Sequence, residues 1–228
     1  MKINLVDLNY DICSKEWKHL ERVYSKYRYP AVLEGILRAL LFTLKSLRRI
    51  NFFVQKESII FLVSSHNQNI TLSKVADKID NSVMLGIHTF KLKSLDGYVP
   101  SFLFYFIGWI VFPYTVIQLF KVKDKYHKFA LKKRLDRTLV SGPSVFVWKL
   151  LFRFWKPRMI VISNDHDHWT RSAVKAAKEI GVQTSYIPHA YTSSTFPELE
   201  CSYSFLDSET QRHLYKKEGA TDKGAVQV

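Results

Sequence analysis

Two short, unbroken apolar runs constrain the fold more than any other feature of this chain. Ser58-Ile59-Ile60-Phe61-Leu62-Val63-Ser64 and Met159-Ile160-Val161-Ile162-Ser163 are rich in β-branched residues and show no polar alternation. A strand with one face in water alternates polar and apolar residues. Runs like these therefore belong to strands buried on both faces, as in a parallel sheet. Each run opens into a polar segment and then a helical pattern. After the first come the polar residues 65–69, then Leu72, Val75, Ala76 and Ile79 at helical spacing, then Val83-Met84-Leu85-Gly86-Ile87 as the next strand. After the second come Asn164-Asp165-His166-Asp167-His168, a helix over 170–180 ended by Gly181, and a strand over 182–187. Strand, polar loop, helix, strand is a βαβ unit. The predicted class is α/β, a Rossmann-like parallel sheet flanked by helices. Tyr203-Ser204-Phe205-Leu206 reads as one more short strand. Ser208, with Gln211 three residues on, reads as a capping box opening a helix to Lys217.

The rest of the chain is helical in pattern, which divides it into an N-terminal helical extension over 1–57 and the Rossmann-like domain over 58–228, with a helical insertion at about 99–156. Within the extension, Trp17, Leu20, Tyr24 and Tyr27 recur at helical spacing behind a candidate N-cap, Ser14, and Pro30 suits the start of a second helix. That second helix carries a broad apolar stripe (Val32, Leu33, Ile36, Leu37, Leu40, Leu41, Leu44, Leu47) opposite Arg38, Lys45, Arg48 and Arg49. An ordinary core-facing helix is the expectation, with an interfacial helix on anionic lipid as the alternative. Residues 101–120 are apolar and aromatic, but Pro113 interrupts them and Gln118 is polar. They fit a buried or dimer-forming helix pair first, then a membrane-embedded hairpin, and least a true span.

Charge limits the partners. The chain has 34 Lys and Arg against 20 Asp and Glu, a net +14. Twelve of those cations fall within 121–158 against only Asp124 and Asp136. Such a segment expects an anionic partner. Lying beside an apolar aromatic stretch, it favours an anionic membrane surface, since no nucleic-acid motif or stacking platform is present. With 47% hydrophobic residues the chain is no disordered tail, and two cysteines, Cys13 and Cys201, make no disulfide scaffold. No secretion signal is visible, so the expected location is cytoplasmic and peripheral on the inner membrane.

Ligands of open α/β sheets bind outside the carboxyl ends of the strands. Three polar segments are expected to gather there, at 65–69, 164–168 and 189–194. From them Ser65, His66, Asn67, Asn164, His166 and Ser193 are the candidate substrate-binding residues. Asp165 and His189 are the candidate catalytic residues, since an imidazole exchanges protons near neutrality and a carboxylate can act as base or orient it. Two alternatives stay open. Asp165-His166-Asp167 also has the form of a metal-nucleotide D-x-D motif, which would make a metal-dependent transferase, although no metal site is expected from the His and Asp spacing itself. The chain would otherwise be a non-catalytic module assembled on a membrane surface.

The block Ile160-Val161-Ile162-Ser163-Asn164-Asp165-His166, followed by Tyr186-Ile187-Pro188-His189-Ala190 and Phe196-Pro197, resembles the N-terminal domain of GT-B-fold glycosyltransferases of bacterial capsule and surface polysaccharide synthesis. More distantly it resembles the CDP-glycerol glycerophosphotransferases. The resemblance spans about residues 58–220 and is specific over 159–220. It implies that His189 stands at an interdomain cleft as catalytic base or phosphate ligand. It also implies a polysaccharide or lipid-linked acceptor and a nucleotide-activated sugar donor held mainly by a second α/β domain or subunit, with no further cofactor. Without that second domain the chain is expected to show little or no transfer. The family's Gln-His-Gly is Pro188-His189-Ala190 here, which removes a polar contact and a close backbone approach.

Overall fold

A computed structural model describes residues 4–14, 31–47, 54–87, 95–189, 196–217 and 225–227. Seven strands form one all-parallel sheet: β1 (Ile59–Val63), β2 (Ser82–Gly86), β3 (Gly97–Tyr98), β4 (Met159–Ile162), β5 (Gln183–Tyr186), β6 (Tyr203–Leu206) and β7 (Ala225–Gln227). Their spatial order is β3-β2-β1-β4-β5-β6-β7. The chain builds outward from β1 to β3, then returns to lay β4 against the other side of β1. Ile59 pairs with Met159 and Leu62 with Ile162. The topological switch point therefore lies between β1 and β4, where ligands of such sheets bind. The expected α/β class holds, and the two apolar runs are its two central strands, buried on both faces.

Residues on alternate sides of those strands feed two cores, because successive side chains of a strand point to opposite faces. On one face Ile60, Leu62, Ile160 and Ile162 meet Trp148, Phe152, Trp169, Ala173 and Ala177. These come from α8 (Leu135–Trp155) and α9 (His168–Ile180). On the other face Phe61, Val63 and Val161 meet Leu72 and Ala76 of α4 (His66–Ala76). The last helix, α10 (Glu209–Lys217), places the Tyr215 hydroxyl 3.1 Å from that of Tyr186. Its start is capped as the sequence predicts, Gln211 N–H donating to Ser208 Oγ at 3.3 Å.

Gly181 ends α9 at φ +78°, a left-handed cap that an L side chain adopts only under strain. Open space surrounds its Cα, so substitution adds backbone strain and no collision. Gly181→Ala is expected to destabilise the fold by about 1 kcal/mol, read as a shift in urea midpoint with an unchanged slope.

Between β3 and β4 the chain forms four helices: α5 (Ser101–Ile110), α6 (Phe112–Lys121), α7 (Lys125–Lys133) and α8. Pro113 sits in the first turn of α6, where its missing N–H costs nothing, and the two apolar helices bend by 74° between them. Residues 101–120 do form two helices, but the pair is only partly buried: Phe104 and Tyr105 are in the core, whereas Phe106, Ile110, Ile117 and Phe120 are exposed. Among the described residues no single helix is long and apolar enough to cross a membrane, and only this bent pair passes by length and composition.

The N-terminal region corrects one expectation. α3 (Ala31–Ser46) docks on α8, α5 and α7 through its small residues. Ala39 and Ser46 are buried, and a Cβ on Gly35 would lie 2.8 Å from Leu135 Cβ. The leucine stripe points the other way: Leu33, Leu37, Leu40, Leu41, Leu44 and Leu47 are all exposed. The predicted core face is the outer face. Close approach of two helix backbones needs the small residues, so the leucines are left outside. Ahead of it, α1 (Leu5–Leu8) and α2 (Tyr10–Cys13) cross the helical side, and Ser14 follows α2 as its C-cap. The predicted helix over 15–29 lies outside the described residues. Asp7 pairs with Arg171 and with Lys175, and Asp11 with Arg137, which ties this segment to α8 and α9.

Candidate functional site

β1 and β4 end side by side, and the residues that follow them form the base of the site. Sequence reading expects a polar loop at 65–69 after β1. The structure starts α4 there instead. Ser65 is the N-cap, its Oγ accepting from Gln68 N–H at 3.3 Å, and the Gln68 side chain turns back to accept from Ser64 N–H (2.8 Å) and Ser64 Oγ (2.9 Å). His66 and Asn67 are exposed on the first helical turn. The signal was present in the sequence: Ser65 and Gln68 have the spacing of a capping box.

After β4 the chain makes a compact capped turn. Asn164 Oδ1 accepts from His166 N–H at 2.9 Å, and its Nδ2 donates to Asp167 Oδ2 at 3.1 Å. Asp167 Oδ1 accepts from the N–H groups of Trp169 and Thr170 at 2.8 and 2.9 Å. Asp167 is thus the N-cap of α9, complementing the positive end of the helix. Burial pushes its carboxyl pKa up, and the Thr170 N–H opposes that only in part. Oδ1 serves the cap and Oδ2 accepts from the Asn164 side chain, so the D-x-D reading loses one of its two carboxylates. Among the described residues no cluster of three His, Cys, Asp or Glu could hold a metal.

Asp165 and His166 face each other across this turn, Oδ1 to Nδ1 at 3.6 Å. Asp165 is 5% exposed, and among the described residues its carboxylate oxygens accept no hydrogen bond. It borders a small, partly open pocket of about 10 Å³ shared with Arg171, Glu198, Glu200 and Cys201, room for about one water. Asp165 was a candidate to orient His189; its partner is His166. Burial pulls the His166 pKa down, but the Asp165 carboxylate, backed by Asp167 and Asp11, outweighs burial and leaves it raised. The ring also packs on Phe196 at 4.9 Å between centroids, and the backbone carbonyl of His166 accepts from Asp11 N–H at 3.1 Å.

A raised histidine pKa has a definite linkage sign. The folded state holds the proton more tightly than the unfolded one, so the stabilisation is full below the ordinary value of 6.5 and is lost as pH rises through the raised folded value. Thermal melting across that interval is expected to show Tm falling as pH rises, by an amount on the order of a few degrees. Asp165→Asn removes the carboxylate and is expected to flatten that part of the profile.

His189 follows β5 at its carboxyl end, one strand over from the switch point, and is half-buried. Its Nδ1 bonds the backbone carbonyl of Ser163, the residue that ends β4. A carbonyl only accepts, so Nδ1 carries the proton and, in the neutral ring, Nε2 is left as the nitrogen that takes one up. The structure thus brings Asn164, Asp165, His166 and His189 to one rim, with Ser65 heading the neighbouring helix. Ser193 lies outside the described residues. Sequence reading missed Ser163, whose contribution is a main-chain oxygen and leaves no trace in residue type. Its Oγ is buried and, among the described residues, makes no hydrogen bond.

Cys13 and Cys201 are both buried free thiols. Burial, with Asp11 and Asp124 nearby, pushes Cys13 up to about 12, and burial with Asp165 raises Cys201 further still. Neither is a nucleophile near neutrality. No family model matches the chain, and no curated protein or solved structure does either.

Proposed function

We propose that this chain is the acceptor-binding domain of a GT-B-type glycosyltransferase that builds a surface polysaccharide, with His189 as its base. One observation carries the reading: His189 stands at the carboxyl rim of a parallel sheet with Nδ1 committed to the Ser163 carbonyl, which presents Nε2 as the proton acceptor. In the step proposed, an acceptor hydroxyl gives its proton to Nε2 while its oxygen attacks the anomeric carbon of a nucleotide-activated sugar. The bond from that carbon to the nucleoside diphosphate breaks, and the diphosphate leaves with the electron pair. The donor is held across the cleft by a second α/β domain, in the same polypeptide or in a partner subunit. Ser65, Asn164 and His166 line the acceptor side. The metal-dependent alternative on Asp165 and Asp167 has less support, because Asp167 is used by the helix cap.

The reading is tested by adding the purified chain to membranes of its host that lack it and following label from nucleotide sugars into the lipid or polysaccharide fraction. Labelling restored by the wild-type chain without added divalent metal is the expected result. Labelling that never depends on the chain sinks the reading.

A further inference from the structure

The outer face of the helical side exposes large apolar side chains on neighbouring helices, with cations among them. On α3 the leucines lie opposite the buried Ala39 and Ser46 and turn away from the protein, with Leu44 at 63% exposure, while Ile36 at the edge of the stripe is half-buried. α5 lies alongside: Trp109 Nε1 donates to Thr43 Oγ1 at 3.2 Å, and Phe42 stacks on Tyr105 at 6.4 Å. Beside that seam Phe106 and Ile110 are 60% and 64% exposed, and on α6 Ile117 and Phe120 continue the pattern at helical spacing. Monomeric soluble surfaces rarely carry apolar patches of this extent without a use for them.

We infer that this face docks on an anionic lipid bilayer, with the α3 leucines and the α5–α6 bend inserted to interfacial depth and the lysines around them on the headgroups. The occupant is chosen by charge. Lys45 lies over the Phe42 ring at 6.0 Å, Lys132 over Phe120 at 5.8 Å and Lys133 over Phe129 at 5.0 Å. Lys121, Lys123 and Lys125 are exposed at the end of α6 and the start of α7. Apolar side chains ringed by cations suit the boundary between acyl chains and anionic headgroups, where each Lys or Arg adds attraction. A second copy of the chain would bring +14 against +14 across the same surface, which opposes pairing. This inference does not depend on the glycosyltransferase reading, because the face contains none of the rim residues.

The experiment is flotation of the full chain with phosphatidylcholine vesicles and with phosphatidylcholine vesicles containing phosphatidylglycerol. Binding to the anionic vesicles that weakens as salt rises is expected, with Leu37→Glu/Leu41→Glu lowering the partition constant about tenfold or more. Those leucines are exposed, so unchanged far-ultraviolet dichroism is expected alongside. Should that variant fail to fold, Lys121→Gln/Lys123→Gln/Lys125→Gln decides instead, by a loss confined to the anionic vesicles. Equal binding to both vesicle types, unchanged binding in the variants, or a dimer in sedimentation that the leucine variant dissociates would each overturn the inference.

Discussion

His189→Ala is expected to lower sugar transfer about 10²–10⁴-fold, the range over which a positioned general base acts. Alanine also deletes the hydrogen bond to the Ser163 carbonyl, so activity loss by itself would not separate chemistry from support. His189→Asn does separate them. The asparagine Nδ2 reaches roughly where the imidazole Nδ1 stands and donates to the same carbonyl, but no atom replaces Nε2 as an acceptor of a proton. If His189 only held the ends of β4 and β5 together, asparagine would restore most of the rate. If it is the base, asparagine restores thermal stability and leaves transfer as low as alanine does. A His189→Asn protein with near-normal transfer ends the assignment of His189 as base.

How much of this was legible in the sequence depended on whether the signal was a local pattern or a choice between two surfaces. β1 and β4 were legible because a parallel strand buried on both faces needs an unbroken apolar run, and few other structures use one. Gly181 and Ser208 were legible because a helix end has few chemical solutions. The expected loop at 65–69 was misread because His66, Asn67 and Asn69 are poor helix formers, whereas the bonds of Gln68, its N–H to Ser65 Oγ and its side chain to Ser64, decide the matter. The α3 leucines show a different limit. Periodicity defines an apolar face, but not that this face is the one packed. Here Gly35 and Ala39 permit a backbone approach that leucines would block, and the tighter contact wins. At the site, His189 could be placed at a strand end by counting residues. The group that fixes its tautomer could not, because Ser163 acts through its main chain. The partnership of Asp165 with His166 likewise depends on how the Asn164 turn aims neighbouring side chains.

Trp148→Ala is expected to be the most damaging single change to the fold, about 3–5 kcal/mol, lowering Tm by roughly 6–20 °C. The side chain is fully buried on α8. It meets Phe104 of α5 edge-on at 5.2 Å and stacks on Phe152 at 5.2 Å, and Phe104 in turn meets Trp169 at 4.8 Å. Removing the indole opens a cavity at the junction of sheet, insertion and α9, walled by rigid rings that cannot collapse into it. Its Nε1 also donates to the Trp169 carbonyl at 3.0 Å, in the first turn of α9. That turn is the one Asp167 caps, so Trp148 holds the helical insertion to the segment carrying Asp165 and His166. Trp148→Phe keeps most of the packing and deletes this bond. The Trp169 carbonyl still accepts from Ser172 Oγ at 3.0 Å, so it is not left without a donor, and the cost should stay near 0.5–1.5 kcal/mol plus a small packing loss. Against a total stability of about 5–15 kcal/mol, the alanine variant loses a large fraction and the phenylalanine variant a small one. Urea unfolding of the two variants beside the wild type measures both. Equal, small losses would mean that the ring cluster relaxes around the missing indole and that the insertion does not depend on Trp148 for its attachment.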